Sequence, residues 1–296
     1  MDSALQSVAS PFRETTRWNY LMNVRVRLLL FWAGFEDVGG GYIQKGTLPA
    51  DPSAHVIRLL IGSDPQKAPR RINHWGSAME IYRGDAESVF FGFMKSSKAA
   101  SAKEAEIETS RTDAFGFEAS INRADSSQVL SRIVALRSPQ NYTFRDLPQA
   151  QEAMIRRASH IDGPVRRLAE ARPGCRSTQG FLGAVEHLVD QAIKGRPAPL
   201  TDCYVHNARY YTVTLKKTSK VESKRTKMKL RDGKTLDRTD RDLLQADFEV
   251  FNTESRERTR FDLLLGASGD LRGVPVQIHY QPNWWFQVVL HLDTKN

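Results

Sequence analysis

Apolar and polar residues alternate with period two along much of this chain. From Trp18, the stretch "WNYLMNVRVRLLLFW" puts Val24, Val26, Leu28, Leu30 and Trp32 on one face, and Arg25 and Arg27 begin the other. Strand side chains point alternately to opposite faces, so this reads as a strand with one well-buried side. "GFEDVGGGYI" follows, and its glycines predict a turn, with extended structure resuming at Tyr42 to Gly46. "HVIRLLIG" from His55, "INHWGSAMEIYR", "SVFFGFMKS", "EAEIETSR" and "GFEASINR" read as further strands. The interior glycines Gly76 and Gly92 imply bulges or sharp curvature.

The period changes at Asp125. "DSSQVLSRIVALRS" sets Val129, Leu130, Ile133, Val134 and Leu136 on one helical side, with Asp125 or Ser126 as N-cap and Pro139 beyond the end. "PQAQEAMIRRASH" with "PVRRLAEA", then "TQGFLGAVEHLVDQAIKG", predict two more helical segments, the last stopped by Gly195 and Pro197. Residues 139–200 therefore read as a helical insertion. Strands return in "CYVHNARYYTVTLKK", "LLQADFEVFNTE", "RTRFDLLLGAS", "GVPVQIHYQ" and "WWFQVVLHLD", consecutive and antiparallel with short turns. The expected fold is α+β: one domain over residues 1–296, built on a curved, mainly antiparallel sheet, with the insertion at 139–200 and a basic ribbon or loop at 216–241.

Composition leaves room for a sizeable core. The chain has 296 residues, 40% hydrophobic and 26% charged, inside the globular range. Its net charge of +9 and pI near 9.6 favour anionic partners. Much of the excess sits between Lys216 and Arg241, which makes Lys224, Arg225, Lys227 and Lys229 a candidate anion-binding set for a nucleic acid or another anionic surface. That stretch has no aromatic residue to stack bases, so a merely solvated hairpin is the plain alternative. The longest apolar run, Leu28 to Phe35, is far shorter than the roughly 20 residues of a membrane-spanning helix. "VRVRLLLFWAG" imitates a signal peptide but lies too deep and lacks a small-residue cleavage site, so export is not visible in the chain as written.

Candidate chemistry is sparse. Cys175 and Cys203 have no CxxC spacing and no clustered histidines, which argues against zinc. They read either as small buried thiols or, in an exported protein, as one disulfide closing a loop of about 28 residues, worth roughly 3 kcal/mol. The seven histidines show no metal-ligand spacing, though His206, His279 and His291 would approach one another on neighbouring strands. Gly39, Gly40 and Gly41 would cradle a phosphate only ahead of a helix, and "YIQKG" reads extended, so a turn or strand bend is expected. Glu36 and Asp37 point to opposite strand faces and do not share a proton. No catalytic motif, cofactor motif or metal site is found.

The tail "PNWWFQVVLHL" puts Trp284, Phe286, Val288, Leu290 and Leu292 on one face, and Trp285, Gln287, Val289 and His291 on the other. Trp18, Tyr20, Trp32 and Trp75 add aromatics on strands. Either all of these pack in one core, or some line a cavity for an apolar ligand.

The order of elements resembles uncharacterised bacterial envelope domains related to the lipoprotein carriers LolA and LolB. The resemblance rests on "DSSQVLSRIVALRS" ending in Leu136 and Arg137, on Tyr210 and Tyr211 in "VHNARYYTVTL", on "ADFEVF", and on Pro275 and Val276 in "LRGVPVQIHYQ". It implies an open half-barrel with helices in its concave face, a use in holding acyl chains, and a place in the cell envelope or periplasm. A cytoplasmic place is expected if the missing signal peptide is real. The leading expectation is a non-enzymatic carrier of a hydrophobic or amphipathic ligand. Its wall would be Trp32, Trp75, Tyr211 and Trp285, with Arg25 or Arg27 meeting an anionic head group. Anionic-surface binding through residues 216–241 and an enzyme of unrecognised type are the alternatives.

Overall fold

The computed structural model describes residues 12–28, 31–96, 99–111, 115–124, 128–136, 142–151, 165–167, 174–176, 178–206 and 208–293. They form a mainly-β molecule rather than an α+β one, with fourteen strands in a single antiparallel sheet. These are β1 (Arg13–Leu28), β2 (Phe31–Leu48), β3 (Asp51–Ser63), β4 (Trp75–Arg83), β5 (Glu87–Lys95), β6 (Phe115–Arg123), β7 (Gln128–Leu136), β8 (Val165–Arg167), β9 (Leu200–His206), β10 (Arg209–Lys229), β11 (Thr235–Asn252), β12 (Arg258–Gly266), β13 (Pro275–Asn283) and β14 (Phe286–Asp293). Two helices stand out among the described residues: α1 (Ala102–Ser110) and α2 (Phe181–Ile193).

The sheet is a meander whose first and last strands pair, Tyr20 opposite Leu292 and Val26 opposite Phe286. Its two free edges are β8 and β9, consecutive strands in the middle of the chain. The sheet curls until side chains of the β9 edge meet those of β5 and β6. His206 on β9 lies 3.3 Å from Glu118 on β6, and its ring packs edge-on against Phe90 of β5. The result is a nearly closed barrel, more closed than the expected half-barrel, with a seam where backbone pairing stops.

Both faces of the sheet are used. On the outside of β2–β6, Tyr42, Val56, Leu60, Trp75, Met79, Phe91 and Phe93 form a core covered by Tyr142, Phe144, Leu147 and Ala150. The concave side holds α2. Its Ala184, Leu188, Val189 and Ala192 pack on Tyr204, Val213, Leu215, Phe248, Leu263 and Leu265. Where β1 meets β14, Tyr20, Met22, Val24, Val26, Phe286 and Leu290 pack together, joined by Ala105 of α1 and by Trp285. Alternating strand sequences supply two apolar faces only because helices and connections cover them.

Several expectations are corrected. "EAEIETSR" is not a strand but the body of α1, whose N-cap Ser101 accepts from the Glu104 amide, while Glu104 accepts from the Ala100 amide. That is a near relative of the capping box. Conversely, Gln128–Leu136 is not a helix but β7, paired with β6 from Phe115↔Leu136 to Ile121↔Leu130. Its β-branched Val129, Ile133 and Val134 suit a strand as well as a helical face. Arg137 and Asp125 lie outside the described residues. The insertion at 139–200 is only partly helical: 147–151 and α2 are helical, Val165–Arg167 is edge strand β8, and residues 152–164 and 168–173 lie outside the described residues.

The stretch from Trp18 to Trp32 is two strands, so Trp32 belongs to β2, paired with Arg27. Gly39, Gly40 and Gly41 do not turn the chain but lie within β2. A Cβ on Gly41 would run into the Leu60 carbonyl oxygen, and one on Gly39 into that of Gly62. Close strand approach therefore requires glycine here, next to a bulge between Met22 and Val24 on β1.

The basic ribbon is the hairpin of β10 and β11, paired out to Lys229↔Thr235. It does not stand free in solvent. It folds back over the outside of the β14–β1–β2 junction, burying Met228 and Leu236. Glu36 accepts from the Lys229 amide, Asp37 accepts from the Arg231 amide, and Arg238 donates to the Leu292 carbonyl.

Candidate functional site

Inside the barrel, α2 spans from one wall to the other. It begins at Gly180, which has no side chain to cap the helix. The first amides of any helix lack intrahelical acceptors. Here the acceptor comes from the opposite wall: Glu80 on β4 takes the Leu182 amide on Oε1 and the Gly183 amide on Oε2, each at 3.0 Å. Tyr82, two residues along the same strand face, accepts from the Gly183 amide and donates to Glu80. Gly180 and Gly183 permit this approach, because a Cβ at either would collide with Glu80 or Tyr82. Burial pushes the Glu80 carboxyl above the usual carboxylate range, although hydrogen bonds from Tyr82 and the helix amides oppose the rise. Burial likewise pushes the Tyr82 phenol up, with Glu80 adding to the rise.

One turn further on, Glu186 of α2 is held by Lys45 of β2, and His55 Nε2 of β3 lies 3.4 Å from its other oxygen. Burial works against ionisation of Glu186, yet the hydrogen bonds from His55 and Lys45 hold its carboxyl down at about 2. On the β9 side, His187 of α2 pairs with Asp202 at 2.7 Å, and Phe181 packs on Tyr204 and Phe261. The two walls thus grip α2 differently. Strands β9–β13 hold it mainly by apolar contact. Strands β2–β4 hold it by buried or half-buried polar groups. Other polar contacts also cross the seam region: Glu118 with His206, Arg176 with Asp85 at 3.0 Å, and Thr178 with the Asp85 carbonyl.

Beside Glu80, a small cavity of about 20 Å³ is lined by Ser88, Asn122, Tyr204 and His206 among others. It has room for about one water. Burial lowers the His206 pKa. On the outside, a shallower cleft of about 230 Å³ lies between the base of the ribbon and β12–β13, bordered by Lys224, Gln245, Asp262, Leu264, Gln277 and His279. No group of three or more His, Cys, Asp or Glu suited to a metal occurs among the described residues.

The residues expected to form a ligand wall are not brought together. Trp75 is buried in the outer core, its Nε1 donating to the Tyr142 carbonyl at 3.0 Å. Trp285 is buried at the β1–β14 junction, its Nε1 donating to the Ala99 carbonyl at 2.9 Å. Trp32 is half-buried on β2. Tyr211 is the one wall residue placed in the α2 cluster, stacked on Tyr204 at 5.1 Å. Arg25 and Arg27 are exposed, and the Arg27 guanidinium lies 5.6 Å from the Trp284 ring. Trp284 and Trp285 are not strand positions but the turn between β13 and β14, so period two does not govern them.

The anion set is also divided. Lys224 is on the opposite row of β10 from Arg225, Lys227 and Lys229, and Arg225 is taken by a bidentate pair with Asp237 at 2.7 and 2.9 Å. His279 and His291 lie on the paired strands β13 and β14, where His279 pairs with Asp262, whereas His206 faces Glu118 on another part of the barrel, so two of the three histidines are neighbours and the third is not. Cys175 and Cys203 form a disulfide with Cα atoms 5.5 Å apart, fixing the segment before α2 to β9. No helix of the described residues is long and apolar enough to cross a membrane.

The sequence reading missed Glu80, Tyr82, Lys45 and Glu186. The available signal was weak: a carboxylate inside the apolar strand "AMEIY", and a helix opening on Gly180 without a cap.

No protein-family model matches the chain, and no curated protein matches it. Among solved structures it is similar to the crystal structure of a beta-barrel-like protein of domain of unknown function DUF1849 from Brucella abortus. That likeness has 10% identity and a TM-score of 0.47, and covers 94% of this chain and 95% of that chain.

Proposed function

We propose that the protein is a non-enzymatic binding or carrier protein that takes a hydrophobic or amphipathic ligand into the concavity held by α2. The observation that carries this reading is the asymmetric grip on the helix. Apolar residues join α2 to β9–β13, and hydrogen-bonded pins at Glu80, Tyr82, Lys45 and His55 join it to β2–β4. The wall opposite β2–β4 is lined by Tyr204, Tyr211, Phe248 and Phe261, an aromatic surface suited to an acyl chain or similar group. Parting the seam needs side-chain contacts to break but no strand pairing, because β8 and β9 are not hydrogen-bonded to each other. Apolar burial drives uptake at about 25 cal/mol per Å², less the cost of moving the helix. Kinship with the lipoprotein carriers belongs to this proposal.

The test is uptake of a fluorescent fatty acid by wild type and by Glu186→Ala, which removes one pin. The proposal expects saturable uptake that tightens in the variant. No uptake by either protein would refute it.

A further inference from the structure

Two tips lie side by side at one end of the barrel: the described ends of β1 and β2, at Leu28 and Phe31, and the turn between β13 and β14. They are neighbours because β1 pairs with β14, Val26 opposite Phe286, and the Arg27 amide donates to the Trp285 carbonyl at 2.8 Å. Each tip presents a large aromatic to solvent: Phe31 is 62% exposed and Trp284 is 60% exposed. The next residue, Trp285, is 2% exposed and tied to Ala99. That anchor fixes the turn which holds Trp284 outward. The Arg27 guanidinium lies by the Trp284 ring, and Arg25 is exposed two residues before it. From Arg25 to Gly34 and from Gln281 to Gln287 the sequence contains two charges, both positive.

A single exposed apolar residue needs no explanation. Two protruding rings beside two exposed arginines, on a chain of net charge +9, form a defined surface. We propose that these tips dock the protein on an anionic lipid membrane. Trp284 and Phe31 enter the boundary between head groups and acyl chains, where amphipathic rings reside. Arg25 and Arg27 meet lipid phosphates, each cation near such a surface adding to the attraction. A bilayer accepts protruding rings without pre-formed pockets, whereas a protein partner would need two matched ones, and this argues for lipid. The inference does not depend on what the barrel holds.

The experiment is co-sedimentation of the full chain with phosphatidylcholine vesicles, with and without about 30 mol% phosphatidylglycerol, at two salt concentrations. Binding is expected to the anionic vesicles and to weaken with salt. A Trp284→Ala/Phe31→Ser pair and an Arg25→Gln/Arg27→Gln pair should each reduce partitioning roughly tenfold without lowering the melting temperature. Wild type that ignores anionic vesicles would overturn the proposal, as would variants that bind like wild type. A wild-type dimer that Trp284→Ala/Phe31→Ser converts to monomer, with vesicle binding unchanged, would also overturn it and assign the tips to self-association.

Discussion

Gly183 donates its backbone N–H to the carboxylate of Glu80, 103 residues earlier in the chain, at 3.0 Å. A strand residue thereby does for α2 what an N-cap side chain ordinarily does from within the same segment. The contact fixes the helix against the wall that touches it mainly through polar groups.

Removing that cap should be costly. Glu80→Ala leaves the Leu182 amide buried without its acceptor and the Gly183 amide with Tyr82 alone, and a loss of about 1–3 kcal/mol is expected in urea unfolding. Glu80→Gln keeps one acceptor and should lose about 1 kcal/mol. The pH dependence has a definite sign. Burial raises the folded pKa of Glu80 above its unfolded value, so the folded state holds the proton more tightly. The stability this gives is full at low pH and is lost as pH rises from the ordinary carboxylate range through the raised value. Glutamine does not titrate there. The advantage of wild type over Glu80→Gln should therefore shrink as pH rises above the ordinary carboxylate range. An advantage that grows with pH would contradict this.

The two adjacent tryptophans should separate sharply in stability. Trp285→Ala empties a buried site and removes the indole donor to the Ala99 carbonyl, and should cost about 3–5 kcal/mol. Trp284→Ala should stay within about 0.5 kcal/mol of wild type. Denaturant midpoints at equal slope decide the matter.

Glycine in β2 should be needed where strands crowd and dispensable elsewhere. Gly41→Ala drives a methyl into the Leu60 backbone and is expected to cost about 1–3 kcal/mol. Gly34→Ala meets nothing within 4 Å and should be near neutral, within about 0.5 kcal/mol. Thermal unfolding of the pair tests this.

Much of the barrel was legible in the sequence because period two survives along strands such as β1 and β14. The reading failed where a short stretch fits both periods. "EAEIE" alternates, yet Ser101 and Glu104 start a helix; the apolar positions of 128–136 line up on a helix, yet β6 pairs with them. A local period also cannot report which face another segment covers. Trp75 and Trp285 were grouped by residue type, while the connections over them place one under Tyr142 and the other under Ala99. The Glu80 site was hidden for the same reason, since its partners lie a hundred residues away.

The Cys175–Cys203 bridge, open in the sequence reading, spans 28 positions and should contribute about 3 kcal/mol. Reduction, or Cys175→Ser with Cys203→Ser, should lower the unfolding free energy by that amount and move the midpoint down accordingly. An unchanged midpoint would mean the segment before α2 is held without it.

The central claim is that the concavity receives a hydrophobic or amphipathic ligand. Native mass spectrometry of the purified protein, followed by organic extraction, tests it most directly. The account predicts a bound lipid-like molecule, or its stoichiometric uptake from a lipid mixture, with higher occupancy in Glu186→Ala. Protein that is clean as purified and stays clean after incubation, in wild type and variant alike, would contradict it and leave α2 as an ordinary core helix.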